Sequence, residues 1–598
     1  MKKPLLAEKF GARLTRPGRT RFRIWAPGRM QACVELEPGR PAAREFPMQP
    51  KKDGWFEAEI DCGAGTRYRY RFEDGLSVPD PASRMQDGDV HDASVVVDPS
   101  AYRWRNARWR GRPWSEAVLY ELHVGALGGF DAVRAQLPRL ANLGITAVEL
   151  MPIADFPGGR NWGYDGVLPY APDRAYGTPD ALKALIDEAH GLGLMVFLDV
   201  VYNHFGPDGN YLHAYAPSFF REDVQTPWGP AIDFRRRQVR EFFTGNAMYW
   251  LHEFRFDGLR LDAVHAISEQ DWLEEMASEV RQALDSQRHV HLVIEHDGNA
   301  VSLLEHEFDA QWNDDGHHVL HRLLTGENQG YYRDYDERPA ALLARCMAEG
   351  FVYQGEPSVH REGQPRGRPS AHLPPTSFVL FLQNHDQIGN RAFGERLTQL
   401  MRERGRMEAL KAAVALVLLC PQIPLIFMGE EYGSETPFLY FTSHGPELAQ
   451  AVREGRCQEF AGFEAFAQDT AGANIPDPND ARTFDASCAG LWEDAGDWWA
   501  YYQALLRCRR DVLMPQLDAA RALHASALGS HAVEARWSLG DGRVLAIHAN
   551  LGDDAVVCTA PAESAQPLFE SRADVARRLR EGELEAASTV AWMEAGSP

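Results

Sequence analysis

Hydrophobic residues in this chain occur in short, nearly uninterrupted runs, and several runs end in a polar residue of a type that enzymes use. Four such runs follow one another along the chain: LMVFLDVVYNH (194–204), FRFDGLRLD (254–262), HLVIE (291–295) and FVLFLQNHD (378–386). Strands of a parallel barrel are buried on both faces and read as such runs, and barrel enzymes place their chemistry at the C-terminal strand ends. The pattern predicts that the polar residues ending these runs meet on one face of a barrel.

The stretches between the runs predict helices. DALKALIDEAHGLG and DWLEEMASEVRQAL have apolar residues at three- and four-residue spacing, which is typical of the outer helices of a barrel. Further runs, VLYELHV, ITAVELM and PLIFMGEE, predict the first, second and eighth strands. The repeated unit favours a (β/α)8 barrel of the α/β class. A doubly wound open sheet is the alternative, but no strand is followed by a GxGxxG or Walker loop.

The two ends of the chain show a different pattern. TRFRIWAP, ACVELEP, WFEAEI and TRYRYRFED alternate apolar and polar residues and are separated by Gly and Pro, which predicts an N-terminal β-sandwich over 1–100. After the helix in DWWAYYQALLRCRRDV, short alternating runs return and predict a C-terminal β-sandwich over 513–598. The barrel then occupies 101–512.

Composition narrows the range of partners. The 598 residues exceed what one core holds, and the net charge of -23 argues against nucleic acid and anionic membranes, which both need a basic surface. No stretch is long and apolar enough to span a bilayer, and MKKPLLAEKF is too broken for a secretory signal. The eight cysteines are scattered and never form CxxC. We expect a cytoplasmic protein that binds a neutral polar ligand.

Two carboxylates at neighbouring strand ends suggest glycosidic cleavage, which needs one carboxylate at the anomeric carbon and another to protonate the leaving oxygen. Asp262 and Glu295 end consecutive runs. Arg260 lies two residues before Asp262, hence on the same face of the strand, where it can hold that carboxylate ionised. Glu295 has no cation beside it in the sequence, so we expect burial and neighbouring acids to keep it protonated as the general acid. Asp262 is the predicted nucleophile.

Asp386 is the third predicted acid. We expect it to hold the sugar hydroxyls beside the reacting carbon, with His204 and His385 donating hydrogen bonds to the same sugar. Any one of these residues alone is more readily explained as a salt-bridged surface residue. Their occurrence together and in this order favours function.

The loop GRNWGYDG adds candidates for sugar binding. Trp162 and Tyr164 offer aromatic faces for sugar rings, and Asp165 can accept sugar hydroxyls; packing of these aromatic rings into the core is the alternative. A metal site is not expected. His317 and His321 would share a helix face, and Asn203 is a candidate calcium ligand, but no further ligands follow at a recognisable spacing.

Longer motifs then indicate a family. DVVYNH, GLRLDAVH, the strand-end Glu295 and QNHDQIGNR resemble the four signature regions of the alpha-amylase clan of glycoside hydrolases. VPDPASRMQDGDVH, MPIADFPGGRNWGYDG, DDGHHVLHRLLTGENQGYY and GEEYGSETPFLYFTSHGPELAQAVREGR resemble the maltooligosyltrehalose trehalohydrolase family within it. The resemblance implies retaining hydrolysis of the α-1,4 bond that joins a maltooligosaccharide to terminal trehalose, without a cofactor and with functional coupling to a maltooligosyltrehalose synthase. The loop HVGALGGFD and the segment EHDGN depart from the family pattern.

The resemblance also implies a site for trehalose on the leaving-group side. We expect Asp314, Asp315, His318 and His265 to supply its hydrogen bonds. Two alternatives stay open at this point. A glycogen branching or debranching enzyme shares the four regions and the same covalent intermediate, so the catalytic residues do not distinguish it. A non-catalytic α-glucan-binding scaffold would not need Asp262, Glu295 and Asp386 together.

Overall fold

The computed structural model describes residues 6–460, 475–488, 490, 492 and 496–596, and at its centre is a closed barrel of eight parallel strands. The barrel closes where the first strand pairs with the eighth, Leu119 opposite Leu425. This confirms the predicted (β/α)8 class. In order, the strands are Leu119–Leu122, Ala147–Leu150, Met195–Val200, Gly258–Leu261, His291–Ile294, Ala310–Trp312, Phe378–Phe381 and Ile423–Phe427.

Every residue of the barrel strands is buried, which explains why they read as continuous hydrophobic runs. The sixth strand, Ala310–Trp312, has only three residues and was not predicted. At Gly258 the fourth strand passes close to the third. A Cβ atom there would lie 2.1 Å from the ring of Phe197, so any larger residue would push the two strands apart.

Helices cover the outside of the barrel, and their ends carry recognisable signals. Pro179 occupies the first turn of the second helix, and the side chain of Thr178 accepts a hydrogen bond from the amide of Ala181. Gly144 ends the first helix in the left-handed conformation. The main helices between the strands are Phe130–Leu143, Pro179–Gly191, Arg237–His252, Asp271–Ala283, Asp314–Thr325, Pro339–Glu349 and Met407–Leu419. Pro446–Phe460, Ala481–Cys488 and Trp498–Cys508 follow the eighth strand.

Two antiparallel sheets form the N-terminal module, which we define as residues 13–95. One sheet has four strands and the other has five, and their inner faces share a core that includes Phe22, Val34 and Tyr68. The strands are Arg13–Arg16, Arg19–Trp25, Ala32–Leu36, Arg44–Pro47, Gln49–Pro50, Trp55–Ile60, Arg67–Phe72, Ser77–Val78 and Ser94–Val95.

After the barrel, a five-stranded antiparallel sheet and a two-stranded sheet enclose a small core with the helix Val575–Arg580. The five strands are, in spatial order, Arg521–Ala527, Ala532–Ser538, Val544–Asn550, Ser588–Glu594 and Gln566–Glu570. Across the described ranges, each helix is too short or too polar to cross a lipid bilayer.

Candidate active site

One buried arginine joins the strand ends of the candidate site. Arg260, on the fourth strand, has no solvent exposure. Its Nη1 donates to Asp199 Oδ2 at 2.7 Å and to Asp262 Oδ1 at 2.9 Å, and its Nη2 donates to Glu295 Oε2 at 2.7 Å. A single guanidinium thus orients three carboxyl groups from three neighbouring strands.

The contact with Glu295 corrects one expectation. The sequence shows no cation beside Glu295, but the guanidinium of Arg260 reaches it across the adjacent strand ends. The amide of Ala263 also donates to Glu295 Oε2 at 2.9 Å. Ala263 has a φ of 38°, a left-handed conformation that costs a non-glycine residue about 1 kcal/mol or more. That backbone geometry directs its amide towards Glu295.

Asp262 is held from a second side by Asn203. The amide Nδ2 of Asn203 donates to Asp262 Oδ2 and to the Asp262 carbonyl, both at 2.9 Å. Asp262 therefore has one oxygen on Arg260 and the other on Asn203. Its exposed fraction of 9% shows that the carboxylate still reaches the cavity.

Asp199 lies beneath the cavity with its oxygen shared by two donors. Tyr164 OH donates to its Oδ2 at 2.6 Å, alongside Arg260. Burial raises the pKa of Asp199, Arg260 opposes the rise, and the nearby Asp262 adds to it, which leaves the pKa at about 7. The carboxyl group of Asp199 therefore carries a proton at mildly acidic pH.

The strand ends open into a cavity of about 470 Å³, a size typical of small-molecule sites. Asp262, Glu295 and Asp386 all line it. So do the other predicted residues Trp162, Tyr164, Asp165, His204, His265 and His385. Arg260 lies below the cavity wall.

His385 is a buried cation beside Asp386. Its Nδ1 lies 2.5 Å from Glu121 Oε1, and its Nε2 lies 3.5 Å from Asp386 Oδ1. Burial alone would lower the pKa of His385, but Glu121 and Asp386 raise it to about 9. A protonated His385 can donate from Nε2 to Asp386 or to a sugar oxygen.

The predicted aromatic residues lie at the cavity with much of their surface already covered. Trp162 stacks on Phe438 with ring centroids 5.4 Å apart, and its indole N–H donates to Leu439. Tyr164 stacks on His385 at 5.1 Å. These rings shape the wall more than they offer free faces.

His204 also has its polar atoms engaged. Its Nδ1 contacts Asn203 Oδ1, and its Nε2 lies 3.0 Å from the Tyr164 carbonyl. Burial lowers its pKa. The hydrogen bond to sugar expected from the sequence requires one of these contacts to be given up.

Sequence reasoning missed Trp228, which lines the cavity and is 47% exposed. Its ring stacks on His204 with centroids 4.5 Å apart and an angle of 13° between planes. A tryptophan in the turn-forming segment TPWGP is rarely core, and this signal could have identified it. Asn161, Asn390, Tyr440 and Arg456 also line the cavity and were missed.

Asp165 accepts from Asn161 Nδ2 at 2.6 Å and lies 3.4 Å from His444 Nε2. Burial would raise the pKa of Asp165, but the bonds from His444 and Asn161 lower it overall. It remains ionised and partly exposed at the rim, as a hydroxyl acceptor should be.

Asp315 requires a correction. Its carboxylate is fully buried and accepts from Asn299 Nδ2 and from the amides of Val352 and Tyr353, and it forms an ion pair with Arg366 Nη1 at 2.7 Å. The hydroxyl of Tyr335 donates to it as well. With both oxygens bonded inside the protein and no exposed surface, it cannot bind a sugar.

The other residues predicted for the leaving-group side are partly exposed. Burial raises the pKa of Asp314 to about 8, and Glu295 and Asp386 add to the rise. The Nδ1 of His318 lies 3.3 Å from Tyr335 OH, and burial lowers the pKa of His318 well below its usual range. His265 lines the cavity itself. Asp314 and His318 lie next to the cavity rather than in its wall.

The candidate metal ligands serve the protein itself. His317 contacts the Leu382 carbonyl and Tyr332 OH, and His321 lies 2.8 Å from Glu327 Oε2. Within the part of the chain that the structure describes, no three histidine, cysteine or acidic side chains are grouped to hold a metal ion.

Three family models match the chain. The alpha-amylase catalytic domain matches residues 82–226, carbohydrate-binding module 48 (isoamylase N-terminal domain) matches 9–101, and a domain of unknown function, DUF3459, matches 520–592. They correspond in position to the start of the barrel, the N-terminal sheets and the C-terminal sheet.

Whole-chain relatives are also found. A malto-oligosyltrehalose trehalohydrolase of Deinococcus radiodurans is 41% identical, covering 82% of this chain and 81% of its own, and one of Saccharolobus solfataricus is 40% identical, covering 84% and 87%. A crystal structure from Salmonella typhimurium, of a protein assigned to the alpha amylases, is 42% identical with a TM-score of 0.89 over 98% and 99% of the two chains. A 1,4-alpha-glucan branching enzyme of Ralstonia nicotianae is 34% identical over 42% of this chain and 37% of its own.

Proposed function

The chain belongs to the malto-oligosyltrehalose trehalohydrolase family, and from this we infer that its cavity hydrolyses the α-1,4 bond between a maltooligosaccharide and terminal trehalose, releasing trehalose. The observation that carries the proposal is the guanidinium of Arg260, which binds Asp262 and Glu295 at neighbouring strand ends of one cavity. Two carboxyl groups held side by side are what a retaining glycosidase needs.

Asp262 attacks the anomeric carbon in the first step. Its carboxylate is oriented by Arg260 and Asn203, so it forms the covalent glycosyl intermediate without reorganisation. Glu295 protonates the departing trehalose oxygen and then, as a base, activates the water that releases the maltooligosaccharide. The sugar leaves as the α-anomer, because two inversions restore the configuration.

Asp386 binds the hydroxyls of the reacting sugar from the opposite side. The cationic His385 neighbouring it keeps that carboxylate oriented. On the leaving-group side we assign His265, Asp314 and His318 to trehalose. The incomplete burial of all three side chains, the place of His265 in the cavity wall and the proximity of Asp314 to Glu295 and Asp386 support this assignment.

The substrate must be supplied by a reaction that converts the reducing end of a maltooligosaccharide into a 1,1 linkage. We therefore propose functional coupling to a maltooligosyltrehalose synthase. The scattered cysteines, none in a CxxC pair, support a cytoplasmic location.

Product analysis tests the assignment. Maltooligosyltrehalose and a maltooligosaccharide of equal length are incubated separately with the protein, with Asp262→Asn as the inactive control. We expect trehalose and far faster cleavage of the first substrate, because a site that pairs specific hydroxyls penalises a ligand that leaves them unpaired. Equal rates would contradict the assignment, and new α-1,6 branches in amylose would favour a branching enzyme.

A further inference from the structure

The N-terminal module packs against one particular part of the barrel, the segment that follows the third strand. We call residues 203–232 the rim segment. It begins with Asn203, which binds Asp262, and it ends with a hairpin of Phe220–Thr226 and Gly229–Ile232 whose turn carries Trp228 at the cavity. An isolated two-stranded hairpin is marginally stable, so its position depends on what packs against the segment.

The first contacts come from the connector at the end of the module. Gly209 has a φ of +87°, and a Cβ atom there would lie 2.5 Å from Val90. His91 then contacts the rim segment twice, with Nδ1 2.8 Å from Tyr211 OH and Nε2 3.2 Å from Asp208.

Further contacts come from the two sheets. Phe72 stacks on Tyr215 with centroids 5.1 Å apart and planes at 25°, and Arg29 lies over Phe72 while donating to the carbonyl of Ala214. Trp25 packs on Phe219 at 6.2 Å.

From Phe219 the packing continues towards the reacting groups. Its ring lies 6.0 Å from that of Phe205, the residue after His204. His204 stacks on Trp228, and Asn203 donates to Asp262. Because close-packed rings transmit displacement, a shift of the module against the barrel moves Trp228, the cavity residue that stacks on His204.

In the part of the module that the structure describes, no large aromatic side chain is fully exposed. Among its described residues, Trp25 and Trp55 are buried at 7% and 5% exposure, and the large hydrophobic side chain that is exposed is Met30. Stacking on sugar rings needs an exposed aromatic face. The described surface of the module therefore favours an indirect role, in which the module acts on the glucan through its contacts with the barrel.

We propose that the N-terminal module is a positioning element of the active site, which holds the rim segment so that Trp228 keeps its place at the cavity. Phe72 and Trp25 are positioning residues in this arrangement. The inference rests on the proposed glucan cleavage but not on which glucan is cleaved.

Two variants of the intact protein separate positioning from general destabilisation. Phe72→Leu removes the ring stacked on Tyr215, and Phe22→Leu removes a ring that packs on Tyr68 inside the module. We expect both to lower Tm. Only Phe72→Leu is expected to raise KM for the preferred glucan, by about three- to tenfold, with kcat changed less than twofold. The reason is that a displaced Trp228 binds the bound glucan and the transition state less tightly to the same extent. Equal KM in the two variants would overturn the proposal.

A double-mutant cycle with Trp228→Ala locates the effect. If the module acts through the rim segment, Phe72→Leu changes KM little once Trp228 is absent. An undiminished effect would contradict that route. Should Phe72→Leu not fold, Tyr211→Phe, which removes the hydroxyl facing His91, is expected to raise KM less but in the same direction, and an unchanged KM overturns the proposal. If the protein cleaves amylose instead of maltooligosyltrehalose, the proposed function is contradicted. The KM values of the variants are then compared with amylose as the substrate.

Discussion

At the scale of residues, the site depends on one cation shared by three acids. Arg260 binds Asp199, Asp262 and Glu295, so a proton gained or lost by one carboxyl group changes the charge felt by the others. A pH profile of kcat/KM therefore reports on the whole cluster and not on one of its residues. The roles of the individual carboxyl groups can still be distinguished with a substrate that does not need one of them, such as a substrate whose leaving group needs no proton.

Replacing Glu295 by Gln makes this distinction. The variant should lose about a hundredfold or more in kcat with maltooligosyltrehalose, because the leaving oxygen is no longer protonated. With an α-glycosyl fluoride the first step should be largely preserved, since fluoride leaves without a proton. Steady-state and burst kinetics on both substrates measure the difference. Equal losses on the two substrates would mean that another group supplies the proton.

His385 predicts a pH dependence of stability. Its pKa in the folded protein, about 9, exceeds that of an unfolded histidine, about 6.5, so the stabilisation is complete below about pH 6.5 and is lost as the pH rises through 9. In Glu121→Gln the partner is neutral and the pKa of His385 falls, so the decline should become shallower. Thermal denaturation of both proteins from pH 6 to 10 tests this, and identical slopes would exclude His385 as the cause.

At the scale of elements, the longer barrel strands could be predicted from the sequence, whereas the register between neighbouring strands could not. Seven barrel strands appear as apolar runs, whereas Ala310–Trp312 is too short to show any period. The contact between Arg260 and Glu295 depends on the register of adjacent strands, which no local pattern records. Three predicted acids reach one cavity because strand ends necessarily converge there.

Helix geometry explains the error at Asp315. Successive residues of a helix are about 100° apart around its axis, so Asp314 and Asp315 point in different directions. Asp314 lies near Glu295, whereas Asp315 turns inwards to Arg366 and the amides of Val352 and Tyr353. The sequence DD does not show which of the two faces the cavity.

The two aspartates therefore predict opposite results. Asp315→Asn leaves Arg366 buried without its charged partner, and we expect a loss of about 3 kcal/mol or more in the free energy of unfolding. Asp314→Asn should change it by less than about 1 kcal/mol, because the pKa of Asp314, about 8, means that the side chain is already mostly neutral at pH 7. Urea denaturation at pH 7 measures both. Similar losses in both variants would contradict this division.

At the scale of the whole molecule, the outer helices of the barrel pack against the C-terminal sheet. The helix Met407–Leu419 is buried on nearly all sides and packs against the strand Ser588–Glu594. Thr589 Oγ1 donates to the carbonyl of Ala412, and the indole of Trp537 donates to the carbonyl of Met347. The C-terminal sheet thus covers apolar barrel helices.

Removing residues 513–598 should therefore expose a continuous apolar surface and cause aggregation. The control is Thr589→Val, which removes one hydrogen bond and should cost only about 1 kcal/mol. Soluble yield and size-exclusion chromatography compare the two with the parent. A truncated protein that stays monomeric with the parent Tm would show that the sheet is dispensable for the barrel.

The contacts between the N-terminal module and the rim segment also bear on how such proteins recombine. The connector near residue 101 is an obvious crossover point, since it joins two units that are separate along the chain. A chimera made there would pair a foreign module with a native rim segment, and Phe72 would no longer meet Tyr215, nor His91 meet Tyr211. Residues 13–95 and 203–232 must therefore be exchanged together in a chimera, although the first three barrel strands lie between them in the sequence.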